Sequence, residues 1–259
     1  MCLIVFAYKA HPKYKFIFAA NRDEFYDRPT EQAGYWKDHP ELLAGKDLLA
    51  NGTWMGITKQ GRFAAVTNYR DLRNIKENSP SRGLLTRDFL LGNQTAEEFY
   101  NSIKDRLSNY NGFNLILGNT DNIYYFSTHR NDLTKLEPGI YGLSNAIIDT
   151  PWPKVLRSKE RLRKLLQQTE IHPDDLLNLL GEMETASDTD LPDTGVGLEL
   201  EKVLSSVFIR SPKYGTRAST AVIVDNNNTV NFVEKNFYGN QQTFSYKEYS
   251  FIIKELVKD

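Results

Sequence analysis

Two apolar runs at the start of the chain, Cys2 to Tyr8 and Lys15 to Asn21, constrain its fold most. Both are rich in β-branched and aromatic residues and flank the turn-prone segment Ala10-His11-Pro12-Lys13, so they predict a β-hairpin. A turn centred between His11 and Pro12 sets residues summing to about 23 opposite each other. Cys2 then faces Asn21, and directly opposed side chains share a sheet face. The hairpin thereby brings the lone cysteine beside the end of a run that closes in four polar residues, Asn21, Arg22, Asp23 and Glu24.

Further strand signals recur along the chain. Thr53 to Thr58, a turn at Lys59-Gln60-Gly61, and Arg62 to Asn68 predict a second hairpin, followed by a polar loop from Tyr69 to Arg82. Helical spacing covers Gly83 to Leu91 and Thr95 to Leu107, the latter opened by the capping-box pair Thr95 and Glu98. Phe113 to Leu117 and Ile123 to Ser127 predict two more strands across Gly118-Asn119-Thr120-Asp121-Asn122. Pro153 to Gln168 and Pro173 to Glu184 read as helices, and the acidic stretch Ala186 to Gly197 as a mobile surface loop. Ser219 to Asp225 and Thr229 to Lys235 form a last hairpin across Asn226-Asn227-Asn228, before a short closing helix from Lys247. Hairpin sets separated by helix pairs predict an α+β fold, two stacked mainly antiparallel sheets covered by helices, in a single domain spanning 1–259.

Composition narrows the partner. Charged residues make up 25% of the 259 residues and the net charge is -1, which gives no nucleic-acid footprint and points to a small molecule. One cysteine excludes an internal disulfide, and no basic segment followed by a signal-length apolar stretch opens the chain, so a reducing, cytoplasmic setting is expected. No run approaches the roughly 18 apolar residues of a membrane-spanning helix. His11, His39, His129 and His172 are scattered without metal-ligand spacing, and no GxGxxG or P-loop is present, so neither a metal nor another cofactor is expected. Oligomeric state is not legible.

The chemistry concentrates at Cys2. A single buried cysteine often serves only as a small apolar filler, and a polar run often serves as a solvated turn. Here the two coincide, and removal of Met1 makes Cys2 the first residue. An N-terminal cysteine carries its own base, because an α-amino group with a pKa of about 7.7 to 8.0 can accept the thiol proton near neutral pH. The oxyanion formed by thiolate attack needs preset donors, and Asn68 and Asn145, at the ends of apparent strands, are the candidates. A cation near the sulfur, Arg22 or Arg217, is expected to lower the thiol pKa.

The segments MCLIVFAY, AANRDEF, GTWMGI, VTNYR, GLSN followed by DTPWPKV, and STAVIVD together resemble the NRDE family, also called the transport-and-Golgi-organisation family. That resemblance implies an N-terminal-nucleophile (Ntn) hydrolase fold, a four-layer αββα sandwich. It also invites comparison with the choloylglycine hydrolase and penicillin V acylase group. By position, Cys2 matches that group's nucleophile, Asn68 and Asn145 its two asparagines, and Arg217 its late arginine. The second strand departs from the pattern: the i, i+3 pair is Asn21 and Glu24, with Arg22 and Asp23 between, so the group's Arg and Asp cannot both be matched without shifting register. Trp54 and Tyr69, within the resembling segments, join Asn68 and Asn145 as substrate-binding candidates.

Two functions follow. One is a cysteine amidohydrolase acting on a linear amide or related acyl bond. The other is a non-catalytic binding or transfer protein using the same cleft, for which the resemblance implies haem, acyl-CoA or lipid as ligand.

Overall fold

The computed structural model describes residues 2–238 and 243–254. Among them, six strands form one antiparallel sheet in the order β10, β1, β2, β11, β12, β13: Gly139–Leu143, Cys2–Tyr8, Tyr14–Phe25, Tyr214–Asp225, Thr229–Tyr238 and Thr243–Ile252. Seven strands form the other in sequence order: β3 (Thr30–Trp36), β4 (His39–Asp47), β5 (Met55–Thr58), β6 (Arg62–Asn68), β7 (Phe113–Asn119), β8 (Asn122–Ser127) and β9 (Asp132–Lys135). Helices α1 (Arg82–Leu91) and α2 (Ala96–Ile103) follow β6, and α3 (Pro153–Leu165), α4 (Pro173–Leu180) and α5 (Leu198–Leu204) follow β10.

Strands β1 and β2 lie inside the first sheet with both faces covered, which is why their sequences run apolar without alternation. Ile4, Phe6, Phe16 and Phe18 point to the second sheet and meet Leu43, Met55, Ile57, Phe63 and Ile116. Phe63 stands edge-on to Phe16 and Phe18, with ring centroids 5.0 and 4.9 Å away. Val5, Ala7, Ile17 and Ala19 point the other way, onto Leu162 of α3 and Leu176, Leu179 and Leu180 of α4. Across the molecule, Leu42, Ala64, Leu115 and Leu117 carry Leu85, Phe89 and Leu90 of α1 and Phe99 and Ile103 of α2. The layers therefore run helix, sheet, sheet, helix.

Several local expectations change. The segment from Lys247 is strand, not helix, because Tyr249, Phe251 and Ile253 repeat with period two and pack on the inter-sheet core. Strands β3, β4 and β9 and helix α5 have no counterpart in the sequence reading, whereas β10 is the apparent strand before Asn145. The helix expected over Thr95 to Leu107 ends at Ile103 and tightens to a 3-10 turn, although its capping box forms as read. α3 stops at Leu165 and α4 at Leu180, each short of the expected end.

Candidate active site

The connection between β1 and β2 decides which side chains meet Cys2. Tyr8 pairs with Phe16, the Lys9 amide donates to the Lys15 carbonyl at 2.8 Å, and Lys9 adopts a left-handed φ of 47°. The turn is thus centred on Pro12, and Cys2 pairs with Arg22 while Leu3 pairs with Asn21. This corrects the expected pairing by one residue, and a one-residue slip exchanges faces. Cys2 and Arg22 turn to the inter-sheet side. Asn21 instead faces the helices, fully buried: its amide donates to the Leu180 and Val207 carbonyls (3.0 and 2.8 Å) and its oxygen accepts from the Ser219 hydroxyl (2.6 Å). With donors and acceptor engaged, Asn21 holds the helix layer to the sheet and stands outside the cleft lining.

Cys2 lines a cavity of ≈ 300 Å³ at the end of the two sheets, together with Arg22, Asp23, Glu24, Arg28, Lys46, Trp54, Asn68 and Arg82. Asp23 is buried, and its Oδ1 accepts from Thr216 Oγ1 at 2.7 Å. Opposite this point the β2–β11 register shifts between Thr216 and Ala218, so Arg217 sits in a bulge. Its guanidinium donates to the Phe25 and Arg28 carbonyls (2.7 and 3.1 Å). Arg217 therefore braces the chain after β2 and lines a neighbouring cavity, not that of Cys2; Arg22 and Trp54 border both. Glu24 lies 3.9 Å from Arg22 and 4.0 Å from Arg28 at the cleft wall.

The two asparagines divide their work. Asn68, the last residue of β6, lines the cavity, whereas Asn145 is buried behind it and donates its amide to the Asn68 carbonyl at 2.9 Å. Ser144 Oγ lies 3.1 Å from the Cys2 carbonyl and 3.3 Å from Asn145 Oδ1, tying this segment to β1. Tyr69 stacks on His129 at 4.7 Å between ring centroids and is not among the cavity-lining residues.

Two basic residues, one lining the cavity and one outside its lining, were not singled out from the sequence. Arg82, the first residue of α1, lines the cavity and donates to the Gly112 carbonyl at 3.0 Å. The close contact of Gly52 with the Gly83 backbone, where a Cβ would stand 2.5 Å from the carbonyl carbon, sets the loop before β5 against this first turn. Lys154, in the first turn of α3, is 2% exposed. Only its place among the DTPWPKV residues marked it.

Burial dominates the electrostatics. It pushes the Cys2 thiol up, the neighbouring Asp23 carboxylate adds to the rise, and Arg22 opposes it, so the expected fall of the thiol pKa is not found in this state. Burial likewise raises the Asp23 carboxyl against the pull of Lys154, the Thr216 bond and Arg22. The Arg82 guanidinium is lowered by burial, with the charges of Cys2 and Glu24 acting in the other direction. Among the described residues no group of three or more His, Cys, Asp or Glu side chains could hold a metal ion. The cleft surrounds the thiol with an asparagine, three guanidinium groups and three carboxylates.

Two stacked antiparallel sheets between helix layers, with a cysteine opening an interior strand, define an αββα sandwich of the Ntn-hydrolase type. A solved N-acylethanolamine-hydrolyzing acid amidase ortholog from Caenorhabditis elegans superposes with a TM-score of 0.50 at 11% identity, covering 86% of this chain and 92% of its own. The family model for Transport and Golgi organisation 2 matches residues 1–239. A Transport and Golgi organization protein 2 homolog from Bos taurus is 34% identical over 264 residues, 94% of this chain and 95% of that protein. The Transport and Golgi organization protein 2 of Drosophila melanogaster is 26% identical over 268 residues, with 92% and 93% covered. The chain belongs to the Transport and Golgi organisation 2 family. No helix among its described residues is long and apolar enough to cross a membrane.

Proposed function

We propose that the protein is a cysteine hydrolase of the Ntn type that cleaves a linear amide or related acyl bond. The observation that carries this reading is the placement of Cys2 in a cavity lined by Asn68, Arg22 and Arg82. Once Met1 is removed, the Cys2 α-amino group takes the thiol proton and the thiolate attacks the acyl carbon. Asn68 donates to the oxyanion, with Asn145 holding its backbone in place. Collapse breaks the acyl bond, the ammonium returns its proton to the leaving group, and water releases the acid from the thioester. Of the basic residues in the lining, Arg28 is paired with Asp47 and Arg22 lies beside Glu24, which leaves Arg82 and Lys46 to meet a carboxylate or carbonyl of the substrate.

The thiol that burial pushes up favours a second reading, binding or transfer of an acyl-CoA, a lipid or haem without turnover. Cys2→Ser and wild type, compared on an N-acyl amino acid and an acyl-CoA, separate the two. A hydrolase loses turnover in the variant and keeps its affinity, and Asn68→Ala slows it by roughly 100-fold or more. Tight binding with no cleavage by the wild type overturns the hydrolase reading, and full turnover by Cys2→Ala removes Cys2 as the nucleophile.

A further inference from the structure

Beside the Cys2 cavity lies a second and larger one, ≈ 590 Å³ against ≈ 300 Å³, between β3 and β4 of one sheet and β11, β12 and β13 of the other. Arg22, Thr30 and Trp54 line both, so a substrate held at the sulfur can extend past this shared wall. The Cys2 cavity alone stands at the lower limit for a drug-sized ligand, about 300 to 1,000 Å³. It has room for the reacting bond and a short acyl group, and a longer substrate needs the neighbouring space.

The second lining has a distinct chemistry. Four cations, Arg22, Lys37, Arg217 and Lys247, face two carboxylates, Glu31 and Glu234, an excess of two positive charges. Arg217 bonds the Phe25 and Arg28 carbonyls, not a carboxylate. Lys247 is exposed and stands opposite Glu234 in the β12–β13 ladder, while Glu234 already accepts from Ala33, Asn236 and Thr220. Trp54 and Tyr249 supply aromatic surface. The Tyr249 hydroxyl donates to the Ala33 carbonyl at 3.0 Å and its ring stands edge-on to Tyr35, which fixes it in place. Gly34 and Gly45 keep the space open: a Cβ at Gly34 would stand 3.6 Å from the Tyr249 hydroxyl, and one at Gly45 3.2 Å from the Glu31 carbonyl oxygen. Aromatic rings beside surplus positive charge suit a group that carries both a ring and an anion.

We propose that the second cavity is the subsite for the amine portion of the substrate, and that the substrate is an N-acylated aromatic amino acid with a short acyl group. The inference rests on the reading of Cys2 as the nucleophile of an amide hydrolase. The amino-acid ring lies against Trp54 and Tyr249 and the carboxylate meets Arg217 and Lys247, which leaves Arg82 and Lys46 of the Cys2 cavity for the acyl carbonyl. Attack at the acyl carbon breaks the C–N bond, the amino acid leaves with the proton taken from the thiol, and water then hydrolyses the thioester to the short acid.

The test is calorimetric binding of three probes to the Cys2→Ala protein, which has no thiol to cleave them. They are N-acetyl-L-phenylalanine, its amide, which lacks the charge, and N-acetyl-L-alanine, which lacks the ring. The first is expected to bind about 10-fold more tightly than either of the others. Lys247→Met, at an exposed position of the edge strand, is expected to weaken it about 5-fold and to leave the amide unchanged. Gly34→Leu fills the second cavity without entering the lining of the first, and is expected to abolish the preference for the ring. Equal affinities for the three probes, no binding of any, or an N-acetyl-L-phenylalanine affinity that either folded variant leaves unchanged overturns the proposal. If Gly34→Leu does not fold, Lys247→Met decides. Turnover by the wild type separates this proposal from the reading it rests on. Cleavage of N-acetyl-L-alanine and N-acetyl-L-phenylalanine with equal kcat/KM overturns the subsite and leaves the hydrolase standing. Selective binding of N-acetyl-L-phenylalanine without cleavage overturns the substrate assignment together with the hydrolase.

Discussion

At the scale of single residues, Asn21 and Arg22 exchange the roles their sequence suggests. Polarity at the end of an apolar strand reads as a cleft residue, yet the Asn21 amide and oxygen are spent on Leu180, Val207 and Ser219. Arg22, its neighbour, takes the face of Cys2. The sequence names the cluster but not the faces, because one residue in the turn decides them and the left-handed Lys9 is not marked by its side chain. Asn21→Ala leaves two carbonyls and a hydroxyl buried without partners. It is expected to lower the unfolding free energy by about 2 to 4 kcal/mol, read from urea denaturation. A loss below about 0.5 kcal/mol, as at an exposed site, contradicts this structural role.

At the scale of elements, the strands with both faces buried were legible as apolar runs, and the Thr95 capping box was legible as a motif. Strand β13 was not. Its side chains alternate between the core and solvent, and only pairing with β12 fixes that pattern as a strand. Helix α1 was expected, but its bearing on the cleft depends on the contact of Gly52 with Gly83, which no local signal announces. Thr53 N–H donates to the Gly83 carbonyl at 3.1 Å in the same contact. Gly52→Ala pushes a methyl group into backbone that cannot rotate away, so a loss of about 1 to 3 kcal/mol is expected. Because the displaced turn carries Arg82, the Cys2 alkylation rate is expected to change as well. A variant that matches the wild type in thermal midpoint and alkylation rate refutes this coupling of loop and helix.

At the scale of the whole molecule, the two sheets are joined by more than apolar packing. Glu234 of β12, 2% exposed, accepts from the Ala33 amide of β3 at 2.7 Å and from Asn236 at 2.8 Å, while Tyr249 of β13 donates to the Ala33 carbonyl at 3.0 Å. Burial raises the Glu234 carboxyl despite these bonds. A carboxyl raised on folding holds its proton more tightly in the native state. Its stabilising contribution is therefore full below the unfolded value of about 4.3 and is lost as pH rises through the higher folded value. Glu234→Gln keeps an oxygen for Ala33 and Asn236 and removes that titration. Relative to the wild type, the variant is expected to gain stability between acidic and neutral pH, read from urea unfolding across that range. A constant difference at every pH refutes the assignment. By itself the sequence determined the hairpin at the start of the chain, the layered α+β class, the family and the lone cysteine beside a polar cluster, since each rests on local pattern or on motifs read in order. Only the tertiary structure decided which of the four polar residues faces the sulfur, that Asn145 stands behind Asn68, and that Arg217 braces a bulge. It also brought Arg82 to the Cys2 cavity from a helix far along the chain. These are matters of register and of packing between distant segments, and their energies come from burial and charge that no single stretch of sequence contains.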